Sequence, residues 1–419
     1  MKTIKDSVTT FQKLVMLALL ISPIIQTYGW GNFNFSFIII AVLSLINIIN
    51  KGIINHNVPK LLILYFIFWY FSHLLSISSF FQVFPLGIIR LLLSLCLFYD
   101  CLNINYFIKI YRRIAFICIM FFFFQEFCYY ILGSRIPGVI GFLPNSLGID
   151  NISSFLNTLS EAERSSSFFS EPAHFVQFLL PLLTIELFGF TKKRWNTILI
   201  IGLTLLLTQS GNALLGLLII SIAYLFNICL SSKLSPAKKS ILLISFIGIG
   251  LLLSFIYINS EIGNKLMSRS DTIDVNSAED SGFKNSAFLR IWRGYFVFDE
   301  FDTFYKLIGN DNPEYLDVMI EKSSVYMFFE ENERYVNNIQ RFLITTGYIG
   351  VLLLFLFIRK EWKKTNFCGK TMLALIIALS FIAYLHFSAT MIICLVTTYL
   401  MPRNSILLEE KKCIRQISI

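Results

Sequence analysis

A chain of 419 residues that is 56% hydrophobic and only 15% charged falls well short of the roughly 25% charge of a soluble globular domain. Its net charge of +9 does not call for nucleic acid, because basic cytoplasmic loops give a membrane protein the same sign. Apolar runs recur from end to end, each long enough to cross roughly 30 Å of hydrocarbon at about 1.5 Å per residue. They predict an all-α integral membrane protein forming a single polytopic unit over 1–419.

The first run, from Leu14, follows Lys2, Lys5 and Lys13, as in a secretory signal. No small-x-small cleavage site follows it and further apolar runs do, so an uncleaved first helix is expected. Twelve transmembrane helices are predicted over 12–30, 33–49, 61–79, 81–99, 114–132, 172–190, 195–209, 212–231, 240–258, 339–358, 371–385 and 387–401. With both termini cytoplasmic, the inner segments hold Lys51 and Lys60, then Lys109, Arg112 and Arg113, then Lys192, Lys193 and Arg194. Further inner groups are Lys233, Lys238 and Lys239, the cluster from Arg359 to Lys370, and the C-terminal tail. The inner side then carries about 23 basic and about 5 acidic residues against about 11 and about 19 outside, as the positive-inside rule requires. The eight cysteines fall in helices or on the inner side, so neither a structural disulfide nor a zinc site is expected.

Within the early helices, Arg90 and Glu126 lie at similar depth. A charge there costs at least ~2.5–3.5 kcal/mol, so either the two form a structural ion pair or Arg90 faces a substrate. His56 and His73 have no convergent partner along the sequence, and Glu186 reads as snorkelling from an inner helix end.

Two connections are long and lie outside, 133–171 and 259–338. Long connections in compact proteins are usually functional or disordered. The first ends in "ERSSSFFSEPAHFVQFLLPLL" (163–183). Pro172 suits the first turn of a helix, with Ser170 or Glu171 as its cap. That N-terminus favours an anion, Arg164 can supply a bidentate clamp, and His174 lies one turn after Glu171. The arrangement suits attack on a lipid-linked phosphate ester; equally, the charges can be interface residues and Glu171 a cap. The second loop opens with the flexible-looking "SRSDTIDVNSAEDSG" (268–282). It continues in "FLRIWRGYFVFDEFDTFYKLI" (288–308), whose apolar residues recur at helical spacing and predict an amphipathic helix at the membrane surface. Arg290 and Arg293 share a face there; they read either as anion ligands or as residues snorkelling toward lipid phosphates. His386, at the outer turn between the last two helices, is a second candidate base. Phosphate-binding glycine loops, H-E-x-x-H and nucleotide fingerprints are absent from the sequence.

"RSSSFFSEPAHFVQFLLPLL" resembles the segment leading into a membrane helix in O-antigen and capsule polymerases of the Wzy type, where an R-x-S-x-F-x-EP-like run is common. "LTQSGNALLGLLI" (203–219) resembles that family's paired helices with a tight outer turn, and "LRIWRGYFVF…LIGN" (289–310) its second outer loop. "NNIQRFLITTGYIG" (337–350) resembles the polar-then-glycine start of the following helix. The related O-antigen ligases often carry a His at that helix start, and Tyr335 to Gln340 has none; the turn "TQSGN" lacks the basic residue often seen there.

The resemblance implies glycosyl transfer between polyprenyl-diphosphate-linked oligosaccharide repeat units on the outer face of a bacterial cytoplasmic membrane. Arg164, Arg290 and Arg293, with Arg90 as a further candidate, would contact diphosphate or glycan, and Glu171 or His174 would handle the proton. It implies no cofactor, since the diphosphate already activates the donor sugar, and no metal. Membrane lipid, a chain-length regulator and a flippase are the partners to expect. The alternatives are an O-antigen ligase and a non-enzymatic flippase or transporter of lipid-linked oligosaccharide. Carriers usually show two related halves, and 1–210 and 211–419 show no such repeat.

Overall fold

A computed structural model describes residues 8–26, 28–30, 33–52, 56–76, 86–138, 143–144, 164–189, 194–230, 286–323 and 336–401, with single positions at 235, 237 and 240. The predicted helix at 240–258, the segment 268–282, most of the loop 133–171 and the Arg290 side chain lie outside the described residues.

The regular secondary structure of the described residues is helical apart from a two-residue antiparallel pairing of Gly29–Trp30 with Phe33–Asn34. The first helices are α1 (Thr10–Ile25), α2 (Phe35–Lys51), α3 (Lys60–Ser76), α4 (Leu86–Cys101) and α5 (Ile104–Leu132). Next come α6 (Pro172–Phe188), α7 (Trp195–Leu207) and α8 (Gly211–Leu230). The second long connection contributes α9 (Ser286–Asp299), α10 (Thr303–Ile308) and α11 (Pro313–Lys322). The chain then runs through α12 (Asn338–Lys364), α13 (Phe367–Leu379) and α14 (Ala389–Met401). Three of these, α5, α8 and α12, are long and apolar enough to cross a membrane. Seven shorter apolar helices accompany them. The bundle wears large apolar side chains outward, with Leu199 67%, Phe226 61% and Phe355 58% exposed, as expected of a surface that meets hydrocarbon rather than water.

Local chemistry explains the helix starts. Thr9 and Gln12 close a capping box on α1, Asn337 and Gln340 another on α12, and Asn103 and Asn366 cap α5 and α13. The Asn103 cap starts α5 ten residues ahead of the predicted 114, so Lys109, Arg112 and Arg113 lie on the helix and not in a connection. The predicted amphipathic helix 288–308 is two helices, broken after Asp299, with Asp302 as the N-cap of α10.

One core runs through α1, α3, α4, α5, α6, α13 and α14, and a smaller one joins α9 and α11 to the start of α12. The connections divide the bundle into two ends. The long connections sit at one, here the loop end. The other gathers the short connections α2–α3, α4–α5 and α12–α13. There the Asp100 side chain is fully buried and its carboxylate saturated: it accepts from Asn57 N (2.9 Å), Asn57 Nδ2 (3.1 Å) and Asn47 Nδ2 (3.1 Å), and meets His56 Nδ1 at 2.6 Å and Lys51 Nζ at 3.6 Å. His56 therefore has a convergent partner, contrary to the sequence expectation, because the partner lies 44 residues away. Glu186 does not snorkel either. Its carboxylate is wholly buried and paired with Arg112, which the extended α5 brings alongside α6.

At the loop end, α12 is interrupted at Gly347, whose φ of 57° and ψ of −167° lie in a region essentially restricted to glycine. The break opens the helix to the loop: Asn310 N donates to the Ile344 carbonyl at 2.8 Å. Gly309, at φ 82° and ψ 164°, sits against the same turn. A Cβ on Gly347 would come within 2.4 Å of the Leu307 carbonyl oxygen, and one on Gly309 within 2.3 Å of Thr346 N. The two glycines let α10 dock backbone to backbone on a membrane-length helix.

Candidate functional site

The lead-in to α6 is folded down onto α5 and buried. Ser167, in the left-handed region at φ 56°, donates its N–H to Gln125 Oε1 (2.8 Å) and its hydroxyl to the Cys118 carbonyl (2.7 Å). Gln125 Nε2 donates to the Ile136 carbonyl at 2.8 Å, tying the start of the first long loop to its end. The serines that make this stretch polar are thus mostly structural.

Two arginines flank it. Arg135, 7% exposed, donates through Nε to Ser165 Oγ (3.0 Å) and through Nη2 to Glu126 (3.4 Å), with its guanidinium 3.7 Å from the Tyr129 ring centroid. Arg164 donates from Nη1 to the Gln209 carbonyl at 3.1 Å. Gln209 is itself left-handed, at φ 50°, in the tight turn before α8. Arg164 therefore ties the first loop to the α7–α8 turn. At the helix start, Glu171 is exposed and makes no side-chain cap bond, while His174 Nδ1 lies 3.1 Å from Ser170 Oγ. The predicted Glu171–His174 contact is replaced by Ser170–His174.

The expected Arg90–Glu126 ion pair does not form, because Glu126 is held by Arg135 from the following loop. Arg90 lies exposed with its guanidinium 4.8 Å from the Phe37 ring centroid. Arg293 is among the largest fully buried side chains, 1% exposed, so it does not snorkel at a lipid surface. It sits where α9 packs on the start of α12: Gln340 Nε2 donates to the Ile291 carbonyl at 2.7 Å, and Gly294 lies close against Gln340.

Two further loop-end clusters are assembled from segments far apart in the chain. Asp311, just past the α10 docking glycine, meets His73 Nδ1 at 2.5 Å and Arg341 Nη2 at 3.9 Å, while Ser72 donates to the Ile308 carbonyl. His73 thus has a partner after all, 238 residues away. Beside this pair the turn 380–388 brings His386 over Trp69, at a centroid distance of 5.0 Å, and Phe342, at 4.9 Å. Burial, and then the nearby Arg341 charge, hold the His386 ring well below the usual histidine range, so it is neutral near pH 7. Arg135 had one signal in the sequence, as a basic residue in a connection placed outside against the positive-inside rule. Arg341 had another, as a charge one turn into an apolar run.

Among the described residues, three that are not glycine adopt a left-handed backbone: Ser167, Gln209 and Phe387. All lie at the loop end, each beside a group just described. Strained conformations persist where the surroundings over-determine them, and they cluster at functional sites. No protein-family model matches the chain, and no curated protein matches it.

Proposed function

We propose that the chain is a twelve-span protein of the bacterial cytoplasmic membrane, with its loop end outside, that joins polyprenyl-diphosphate-linked oligosaccharide repeat units. The observation that supports this reading is the gathering of Arg135, Arg164, Arg293 and Arg341 at one end of an apolar bundle, three of them on or beside the long connections. In the reaction, a sugar hydroxyl of one unit attacks the anomeric carbon of the chain on the other carrier. The carbon–oxygen bond to diphosphate breaks, the electron pair leaves with the diphosphate, and the proton passes to a base.

The diphosphate gains charge as the bond lengthens. Guanidinium groups fixed beforehand stabilise that state more than the ground state, and removing one such donor typically costs roughly 3–4 kcal/mol of barrier. Arg164 suits the role because a bond to a backbone carbonyl and a rigid turn set its direction. His174, neutral or protonated, stands at the same helix start, and Glu171 stays exposed to receive or deliver a proton.

Cells deleted for the chain should keep single repeat units on the final acceptor and lose long chains, read as a ladder on a gel. In the same gel Arg164→Lys, which keeps the charge but loses the planar paired donors, should shorten the ladder at unchanged membrane level by immunoblot. Loss of outward movement of the lipid-linked unit itself would replace the polymerase by a flippase.

A further inference from the structure

At the loop end a histidine rests on a fixed carboxylate. His73, in the last turn of α3, meets Asp311 Oδ1 through Nδ1 at 2.5 Å. Arg341 Nη2 lies 3.9 Å from the other oxygen, Oδ2. Asp311 is held along the chain on both sides. Asn310 N donates to the Ile344 carbonyl at 2.8 Å, and Asn312 N donates to Asn310 Oδ1 at 2.9 Å. Asn312 Oδ1 in turn accepts from Glu314 N at 3.0 Å and caps α11. Arg341 directly follows the capping box of α12. The carboxylate and its two partners are therefore set in place by the fold itself.

A carboxylate can only accept hydrogen bonds, so Nδ1 of His73 carries the proton and the acceptor lone pair of the neutral ring is at Nε2. A general base needs this arrangement: the right tautomer, a fixed ring, and a negative group that stabilises the imidazolium formed when the proton arrives. His174 has a weaker version, since its Nδ1 lies beside the neutral Ser170 hydroxyl.

The side chains of His73, Asp311 and Arg341 are 21%, 12% and 28% exposed. That leaves them open to a substrate yet shielded enough for their charges to act strongly on one another. A purely mechanical role is already filled by neutral bonds. Ser72 donates to the Ile308 carbonyl and Asn310 N to the Ile344 carbonyl, fastening α10 and the turn after it to α3 and α12. A partly exposed charged pair is not needed for that docking.

We propose that His73 is the general base of the glycosyl transfer and Asp311 its positioning residue, an inference that rests on the polymerase reading above. The attacking sugar hydroxyl gives its proton to His73 Nε2 as its oxygen bonds to the anomeric carbon. The carbon–oxygen bond to diphosphate breaks, and its electron pair leaves with the diphosphate. The imidazolium, stabilised by the Asp311 carboxylate, then loses its proton to the outer solvent. Arg341, on the other oxygen of the same carboxylate, keeps a positive charge beside the base.

The test complements cells deleted for the chain with variants and reads the glycan ladder on a gel and the membrane level on an immunoblot. His73→Gln keeps a side-chain donor for Asp311 but has no basic nitrogen. It should slow chain growth roughly a hundredfold or more, with protease sensitivity within 299–313 unchanged. Imidazole in the medium should restore part of the ladder to His73→Ala and none to Arg164→Ala. The chain has four histidines, so nitrogen NMR of histidine-labelled protein in phosphatidylcholine nanodiscs, assigned with His73→Gln, should show the His73 proton on Nδ1, and Asp311→Asn should change that signature. A wild-type ladder from His73→Gln, where the deletion loses it, would overturn the base and leave the polymerase reading standing. Absent imidazole rescue, or a proton on Nε2 in the wild type, would do the same. A lost ladder with faster cleavage within 299–313 would make His73 a brace and likewise overturn the proposal. A deletion that leaves the ladder intact would overturn the polymerase reading itself, and the base with it.

Discussion

Arg112 and Glu186 show what a charged pair does inside this bundle. Glu186 is wholly buried and Arg112 nearly so, at 15% of its side chain exposed. Breaking a buried pair by removing one partner leaves an uncompensated charge and costs roughly 3–5 kcal/mol, whereas replacing both by apolar groups is often neutral or stabilising. Arg112→Met alone should therefore lower the melting temperature of the detergent-solubilised protein substantially, and Arg112→Met with Glu186→Leu should recover most of the loss. Equal damage from single and double variants would mean that the pair has a function beyond mutual neutralisation. The same logic separates the arginines of the loop end. Arg135 is neutralised by Glu126 and packed on Tyr129, so it reads as a brace for the first loop. Arg164 is tied through a backbone carbonyl to the α7–α8 turn, so it links two outer connections of the loop end.

At the scale of elements, the docking of α10 on α12 rests on two glycines that hold a backbone conformation other residues avoid. Gly347→Ala combines that conformational cost, of order 1–3 kcal/mol, with a Cβ 2.4 Å from the Leu307 carbonyl oxygen. It should detach α10 from α12, seen as faster proteolysis within 299–313 of the membrane-embedded protein, while Gly202→Ala, in open space on α7, should not. Sequence reasoning located these helices well where caps and hydrophobic runs agreed, as for α6 from Pro172. It failed where charge was read as a break. The "KIYRR" cluster looked like a connection, yet α5 carries it because Asn103 caps the helix upstream and Glu186 neutralises Arg112. In the second long connection the opposite happened: regular apolar spacing through "FDEFD" hid a break that Asp302, as an N-cap, had marked. Periodicity reports which face is apolar, not whether the backbone is continuous.

At the scale of the whole molecule, the apolar bundle and its lopsided loops were legible because hydropathy and loop length are local properties. The partners of His56 and His73 were not legible, since 44 and 238 residues separate them from Asp100 and Asp311. Everything functional argued above depends on the loop end facing outward. The basic residues support that orientation: Arg359, Lys360, Lys363 and Lys364 crowd the far end of α12, where the positive-inside rule places the cytoplasm. A direct test replaces the eight cysteines and introduces single ones at exposed positions of opposite ends. Cysteines at Thr303 and Glu314, on α10 and α11, should react with a membrane-impermeant thiol reagent in intact spheroplasts. Cysteines at Arg194 and Lys364, at the opposite end, should react only after the membrane is permeabilised. The reverse pattern would turn the bundle over. It would place Arg164 and His174 in the cytoplasm and overturn the proposed reaction on the outer face.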